Sequence, residues 1–177
     1  MSDGQRSVSE IPEFASAEEA KTFLARRLPI ATAANPRYRS KDSSVETQWI
    51  MKSIRFDRDP ATNRILASMN EAILEYSNNA LSAEGAHEAV FWLDDVQVSE
   101  RRDSPDFTSA GDPAIGIIFN CKSGKCIQSV YMGAKSSNEW SDVYIQDEKS
   151  RAAILKAFKA LERPAGDADA PTAPKPP

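Results

Sequence analysis

The sequence predicts an α+β fold: a strongly curved antiparallel meander, or partly open barrel, of about six strands with a helix at each end. Strand-forming segments follow one another through short polar turns, an order that favours antiparallel strands over βαβ units. An apolar stripe at helical spacing, formed by Ile154, Leu155, Phe158 and Leu161, predicts a C-terminal amphipathic helix. Because a curved meander leaves one end of its core open, we expect this helix to cap it.

Both ends of the chain are predicted to be disordered. Residues 1–15 are polar, and residues 164–177 are rich in Pro, Ala and Asp, so neither end buries enough apolar surface to offset its ordering entropy. Residues 16–163 are then a single domain, long enough to bury a core. Its first helix begins at Ser16, with Glu19 completing a capping box, and we expect Pro29 to end it soon after Leu28.

The next segments predict strands. "TQWIMKSIRF" is rich in strand formers, and the "DRDPATN" after it has the Asp, Pro and Asn residues of a turn. Residues 64–76, "RILASMNEAILEY", fit a helical stripe through Ile65, Met69 and Ile73. Their position between a turn and further strands favours a second strand of the meander instead. We assign a strand here, with a helix as the alternative.

The second half of the chain continues the pattern. "EAVFWLDDVQVSE" alternates apolar residues and predicts one strand, in which Asp94 and Asp95 mark a bulge or a solvated stretch. "SDVYIQ" predicts a last short strand. Asp147 is the expected N-cap of the final helix, and Arg163 followed by Pro164 is expected to end it.

The stretch "AIGIIFNCKSGKCIQSVYM", residues 114–132, contains the two cysteines of the chain and predicts a hairpin. If Cys121 pairs with Cys126 across the four-residue loop, both lie on an apolar core face with Ile115, Ile117 and Phe119, opposite Gln128, Val130 and Met132. The favoured interpretation is two small buried hydrophobic residues, which a reducing cytoplasm keeps as thiols. A disulfide is the alternative if the protein is exported. A redox switch fits less well, because inward cysteines lack access.

Composition argues against several classes of function. The single histidine, His87, lies in the polar segment "SAEGAHE", predicted to be an exposed loop. A catalytic triad or a four-ligand zinc site therefore lacks residues, and we expect no enzyme activity, cofactor or metal. The net charge of −4 argues against nucleic-acid binding. No apolar run reaches the roughly 20 residues of a membrane helix. The start lacks a secretory signal, so we expect a cytoplasmic protein, or a periplasmic or exported one if a signal was removed.

Three groups of side chains are candidates for binding a partner. Trp140 lies in the polar segment "KSSNEWSD", predicted to be a loop, where it either anchors a partner or folds back onto the core. Lys122 and Lys125 flank the tip of the predicted hairpin. Arg37 and Arg39 surround Tyr38 in "NPRYRSKD". Either basic pair could contact a phosphate or an acidic surface, and the alternative for both is ordinary solvated charge.

Residues 47–161 resemble the pleckstrin-homology-like barrel in the order of their elements. The resemblance rests on "VFWLDDVQV", the "IGIIFNCKSGKCIQSV" hairpin and the helix "SRAAILKAFKAL"; the first helix lies outside it. It implies a scaffold that binds a protein, a peptide or a lipid headgroup, usually without catalysis. We therefore expect a non-catalytic binding module whose partner is a protein or peptide, with peripheral lipid contact as a weaker option. The alternative is an exported or envelope protein with a Cys121–Cys126 disulfide, acting in assembly or inhibition.

Overall fold

The computed structural model describes residues 12–103 and 105–162. Most of the predicted N-terminal segment, the expected helix end at Arg163 and Pro164, and the predicted tail 164–177 lie outside these ranges. The described residues form two helices and eleven strands: α1 (Ala17–Ala33), β1 (Tyr38–Ser40), β2 (Glu46–Arg58), β3 (Ile65–Ser77), β4 (Ala80–Trp92), β5 (Val96–Arg102), β6 (Phe107–Ser109), β7 (Asp112–Pro113), β8 (Ile115–Cys121), β9 (Ile127–Tyr131), β10 (Ala134–Asn138), β11 (Trp140–Tyr144) and α2 (Glu148–Leu161).

The strands form two antiparallel sheets. Eight strands follow the order β10-β9-β4-β3-β2-β1-β6-β7, and three follow the order β11-β8-β5. The α+β class, the terminal helices and the antiparallel pairing are as predicted, but a single meander of about six strands is wrong. The additional strands are short, and several, such as the polar "AKSSN" of β10, have no apolar periodicity from which a strand could be predicted.

The segment around residues 64–76 is a strand, as assigned. β3 pairs along its whole length with β2 on one side and β4 on the other. The middle of β3 is buried, with Ala67, Met69 and Ile73 at most 1% exposed, whereas the residues at both of its ends are half-buried. Two long neighbouring strands satisfy its backbone and override the helix propensity of its Ala, Glu and Leu residues.

Pro29 does not end the first helix. It lies inside α1, which begins at the Ser16 cap as predicted and continues to Ala33. The missing proline N–H leaves the Ala25 carbonyl without its helical donor, and in the next turn the hydroxyl of Thr32 donates to the Leu28 carbonyl oxygen at 2.8 Å. The same hydroxyl accepts from the backbone N–H of Met51 in β2 at 2.8 Å. This contact with the sheet stabilises the last turn of the helix.

The segment predicted as one strand around Asp94 and Asp95 is two strands in different sheets. A 3₁₀ turn at Leu93–Asp95 separates β4 in the large sheet from β5 in the small sheet. Arg64 lies 2.8 Å from a carboxylate oxygen of Asp95 and 3.8 Å from one of Asp94, and its guanidinium stacks over Trp92. The acidic pair therefore fixes a change of direction in the chain.

The predicted hairpin of residues 114–132 is wrong. β8 pairs with β5 and β11, whereas β9 pairs with β4 and β10, so the chain passes from one sheet to the other between them. Cys121 and Cys126 form a disulfide across this passage and pack against the core. The apolar face of β8 is buried as predicted. In β9 the buried residues are Ile127 and Ser129, and not Gln128, Val130 and Met132. Pairing with a different strand shifts which residues face inward.

Both sheets and both helices share one hydrophobic cluster. α2 begins at the predicted N-cap, where the Asp147 carboxylate accepts from the Ser150 N–H at 2.9 Å. Its Phe158 is 1% exposed and lies edge-on to Phe119 of β8, with ring centroids 5.0 Å apart. α2 also packs against α1, so the two helices together cover the core.

We expect the double substitution Cys121→Ser with Cys126→Ser to lower the free energy of unfolding by about 2 kcal/mol, because the disulfide closes a short loop and restricts the unfolded chain only modestly. Urea unfolding of the variant and of oxidised wild type measures the difference. Wild type unfolded in reductant should match the variant. A variant as stable as oxidised wild type would contradict the expectation.

Candidate functional site

The strand register brings ionisable side chains together on the inner face of the large sheet. Met51 of β2 lies opposite Glu71 of β3, Glu71 lies opposite His87 of β4, and His87 lies opposite Tyr131 of β9. The neighbouring rows of this face are mainly apolar, including Ile54, Met69 and Ala89. The polar part of this row, Glu71, His87 and Tyr131, thus lies beside the hydrophobic core.

His87 is not in a loop, as the polar segment suggested. It lies in β4 with its side chain 14% exposed, and its Nδ1 lies 3.5 Å from Oε1 of Glu71. That separation is too long for a well-formed hydrogen bond, so among the described residues this oxygen has no close donor. The Glu71 side chain is 2% exposed, and burial raises the pKa of its carboxyl, which His87 opposes. The pair thus places a buried carboxyl beside a largely buried imidazole.

A cavity of about 600 Å³ opens in front of this row, between β9 and β10 on one side and β11 on the other. Its walls carry the rings of Trp49, Tyr131 and Trp140, and Trp49 and Tyr131 are stacked with centroids 6.4 Å apart. Trp140 is the first residue of β11 and not part of a loop. It is 48% exposed at the cavity wall, so it does not fold back into the core.

Arg101 of β5 connects the charged groups on the β11 side of the cavity. One guanidinium nitrogen lies 2.7 Å from Oδ2 of Asp142, another lies 2.9 Å from Oδ1 of Asp103, and the group stacks over the Trp140 ring at 4.6 Å. Tyr144 donates its hydroxyl proton to Asp103 at 2.6 Å. A single guanidinium is thus shared by two carboxylates and positions the indole of Trp140.

The Asp142 carboxyl titrates unusually. Its pKa is raised to about 6, chiefly by burial, which Arg101 opposes and the neighbouring charges of Glu71 and Asp103 reinforce. Asp142 and His87 line the cavity, whereas Glu71 does not line it and lies next to His87. The carboxyls of Asp142, Asp103 and Glu71 are thus grouped around one guanidinium, that of Arg101.

Two further polar atoms at the cavity lack hydrogen-bond partners among the described residues. They are Oγ of Ser129, a residue 4% exposed, and Nε1 of Trp49. Ser129 lies in the row next to His87, opposite Ala89, and both Ser129 and Trp49 line the cavity. Buried polar groups in folded proteins nearly always have partners, so these two mark a place where a ligand or water would complete the structure.

The other predicted binding residues divide between this site and the remaining surface. Lys125 is exposed and lines the cavity, and Lys122 is exposed in the same turn. Arg37 stacks on Tyr76 and donates to Asn79 at 3.0 Å, and Arg39 is exposed in β1. Neither arginine lines the cavity. The sequence interpretation thus included Trp140 and Lys125 but missed Glu71, Asp142 and Arg101, because only the strand register brings them together.

Comparison with protein-family models, with curated proteins and with solved structures finds no match. Over residues 12–103 and 105–162, no group of three or more His, Cys, Asp or Glu side chains is arranged to hold a metal ion. In the same ranges, no helix has the length and apolar character needed to cross a membrane.

The raised pKa predicts how stability depends on pH. The folded protein binds the Asp142 proton more tightly than the unfolded chain, where the pKa is near 3.8. The contribution of Asp142 to the stability of wild type therefore falls as pH rises from about 4 to about 6, whereas Asp142→Asn has no titrating group at this position. We expect the free energy of unfolding of Asp142→Asn, relative to wild type, to increase by up to about 3 kcal/mol across this range.

Urea unfolding at several pH values between 4 and 8 measures this difference. Asp57→Asn is the control, since the Asp57 side chain is 57% exposed and pairs only with Arg55 in β2 among the contacts described. Its difference from wild type should stay nearly flat. A pH-independent difference for Asp142→Asn would show that Asp142 titrates normally.

Proposed function

We propose that this protein is a non-catalytic binding module that holds an extended segment of a protein partner in the cavity beside β11. The observation that carries the proposal is an aromatic-lined cavity between two sheet edges, with a half-exposed tryptophan in its wall. The sequence resemblance to pleckstrin-homology-like barrels suggested the same role, but its strand and hairpin segments are divided between two sheets, so the proposal rests on the cavity.

The sheet edges support an extended ligand. In the part of the chain that is described, β10 pairs only with β9 and β11 pairs only with β8, so each has one edge without a neighbouring strand. Such an edge offers backbone N–H and C=O groups to an added strand, while side-chain pockets provide specificity. Trp140 begins β11 and sits where the two edges diverge, a favourable position for an aromatic anchor.

The disulfide favours a second candidate: an exported or envelope protein acting in assembly or inhibition. Disulfides persist in oxidising compartments and are rare where glutathione keeps thiols reduced. Alkylation of the natively purified protein, with and without prior reduction, followed by intact-mass measurement, tests this compartment. We expect alkylation only after reduction. Cysteines that alkylate without reductant would favour the cytoplasm and remove the support for export.

The binding proposal is tested with peptides selected from a random phage-displayed library against the wild-type protein. We expect Trp140→Ala to weaken the selected peptides at least tenfold, because it removes the anchor at the cavity wall. Trp92→Ala is the matched control: Trp92 also stacks under an arginine, Arg64, but does not line the cavity. Its affinity should stay within about twofold of wild type. Peptides that bind both variants alike, or no selectable peptide, would contradict the proposal.

A further inference from the structure

We propose that the cavity binds a protonated primary amine, the lysine side chain of the partner segment, against Asp142, Glu139 and the hydroxyl of Ser129. This inference rests on the proposed function for the source of the amine. The contacts proposed for the ammonium group are the same whichever molecule carries the amine.

The charge balance of the site favours a cation. Arg101 is shared between Asp142 and Asp103, Glu71 is buried close by, and the exposed Glu139 stands on the cavity rim. Among the described residues that line the cavity, the one lysine or arginine is Lys125, whose side chain is exposed to solvent. Since burial and neighbouring carboxylates disfavour the ionised form of Asp142, an entering cation would stabilise that form.

The aromatic walls favour a cation as well. Trp49, Tyr131 and Trp140 surround the space, and cations are attracted to the faces of such rings. Arg101 already makes this contact with the Trp140 ring. The Ser129 hydroxyl adds an independent indication: its residue is 4% exposed, it lines the cavity, and its oxygen has no partner within the described chain. It is an acceptor placed where an N–H donor could enter.

The arrangement of acceptors favours an ammonium over a guanidinium. Arg101 already contacts Oδ2 of Asp142, which leaves no free two-oxygen fork on that carboxylate. The remaining acceptors belong to separate residues, Ser129, Glu139 and Asp142. An ammonium has three donors around one nitrogen and can reach separate acceptors, whereas a guanidinium binds best to a planar fork.

The affinity of the cavity for the amine should depend on pH. The groups that face Asp142 are Arg101 on β5, Asp103 after it, Glu71 on β3 and His87 on β4. Protonating Asp142 below about pH 6 removes the anion that holds the amine. Affinity for the amine should therefore rise between pH 5 and pH 7.

The test is a titration of the full chain with n-butylammonium, a lysine side-chain analogue, followed by the indole N–H signals in NMR. We expect shifts of the Trp49 and Trp140 signals, with n-butanol and n-butylguanidinium each binding about tenfold more weakly or worse. Asp142→Asn should weaken n-butylammonium about tenfold, and Asp57→Asn should leave it unchanged. Glu139→Gln, at an exposed rim position, is a second variant expected to weaken it if Asp142→Asn does not fold.

Equal binding of n-butylammonium and n-butanol, or equal effects of Asp142→Asn and Asp57→Asn, would overturn the inference.

The source of the amine is tested with a selected lysine peptide and its norleucine counterpart, and with vesicles of equimolar phosphatidylcholine and phosphatidylethanolamine. A preference for the lysine peptide supports the proposal. If the protein binds n-butylammonium and the vesicles but no peptide, the ammonium site stands and the proposal of a protein partner is wrong. Equal peptide affinities without amine binding would overturn the ammonium site and keep the peptide-binding function.

Discussion

The structure depends on one constraint: a single hydrophobic core is built from two sheets between which the chain repeatedly passes. β4 leads into β5, β8 into β9 and β10 into β11, and each step changes sheet. The core fixes the two sheets against each other, but β10 and β11 do not pair, so their edges diverge from Glu139. The cavity occupies the space between them. Its position is therefore a consequence of how the core is closed.

The disulfide lies at one of these passages. It joins the end of β8 to the residue before β9, and the backbone N–H of Cys121 donates to the Glu139 carbonyl oxygen at 2.8 Å. The turn that carries Lys125 is thereby held next to the connection between β10 and β11. The disulfide and the cavity rim at Lys125 and Glu139 thus belong to one local structure. The shape of the cavity rim therefore depends on the connection between β8 and β9.

The polar row on the inner face is costly for folding. A carboxyl as buried as Glu71, without a close donor, loses its hydration and recovers little of it through His87 at 3.5 Å. Asp142 and Ser129 add to this cost in the same region. Apolar residues would pack the same space with less loss of stability. Perturbed groups that cluster at a cavity are characteristic of functional sites, which is the physical basis of the proposed binding role.

Local chemistry in the sequence determined the helix starts at Ser16 and Asp147, the strand β2, and the apolar face of β8, because caps and periodicity act within a few residues. Only the tertiary structure decided which strands pair. It placed β8 and β9 in different sheets, turned Ser129 inward in place of Val130, and set His87 opposite Glu71. Long-range backbone pairing fixes strand register, and one change of partner alters every side chain that meets across the sheet.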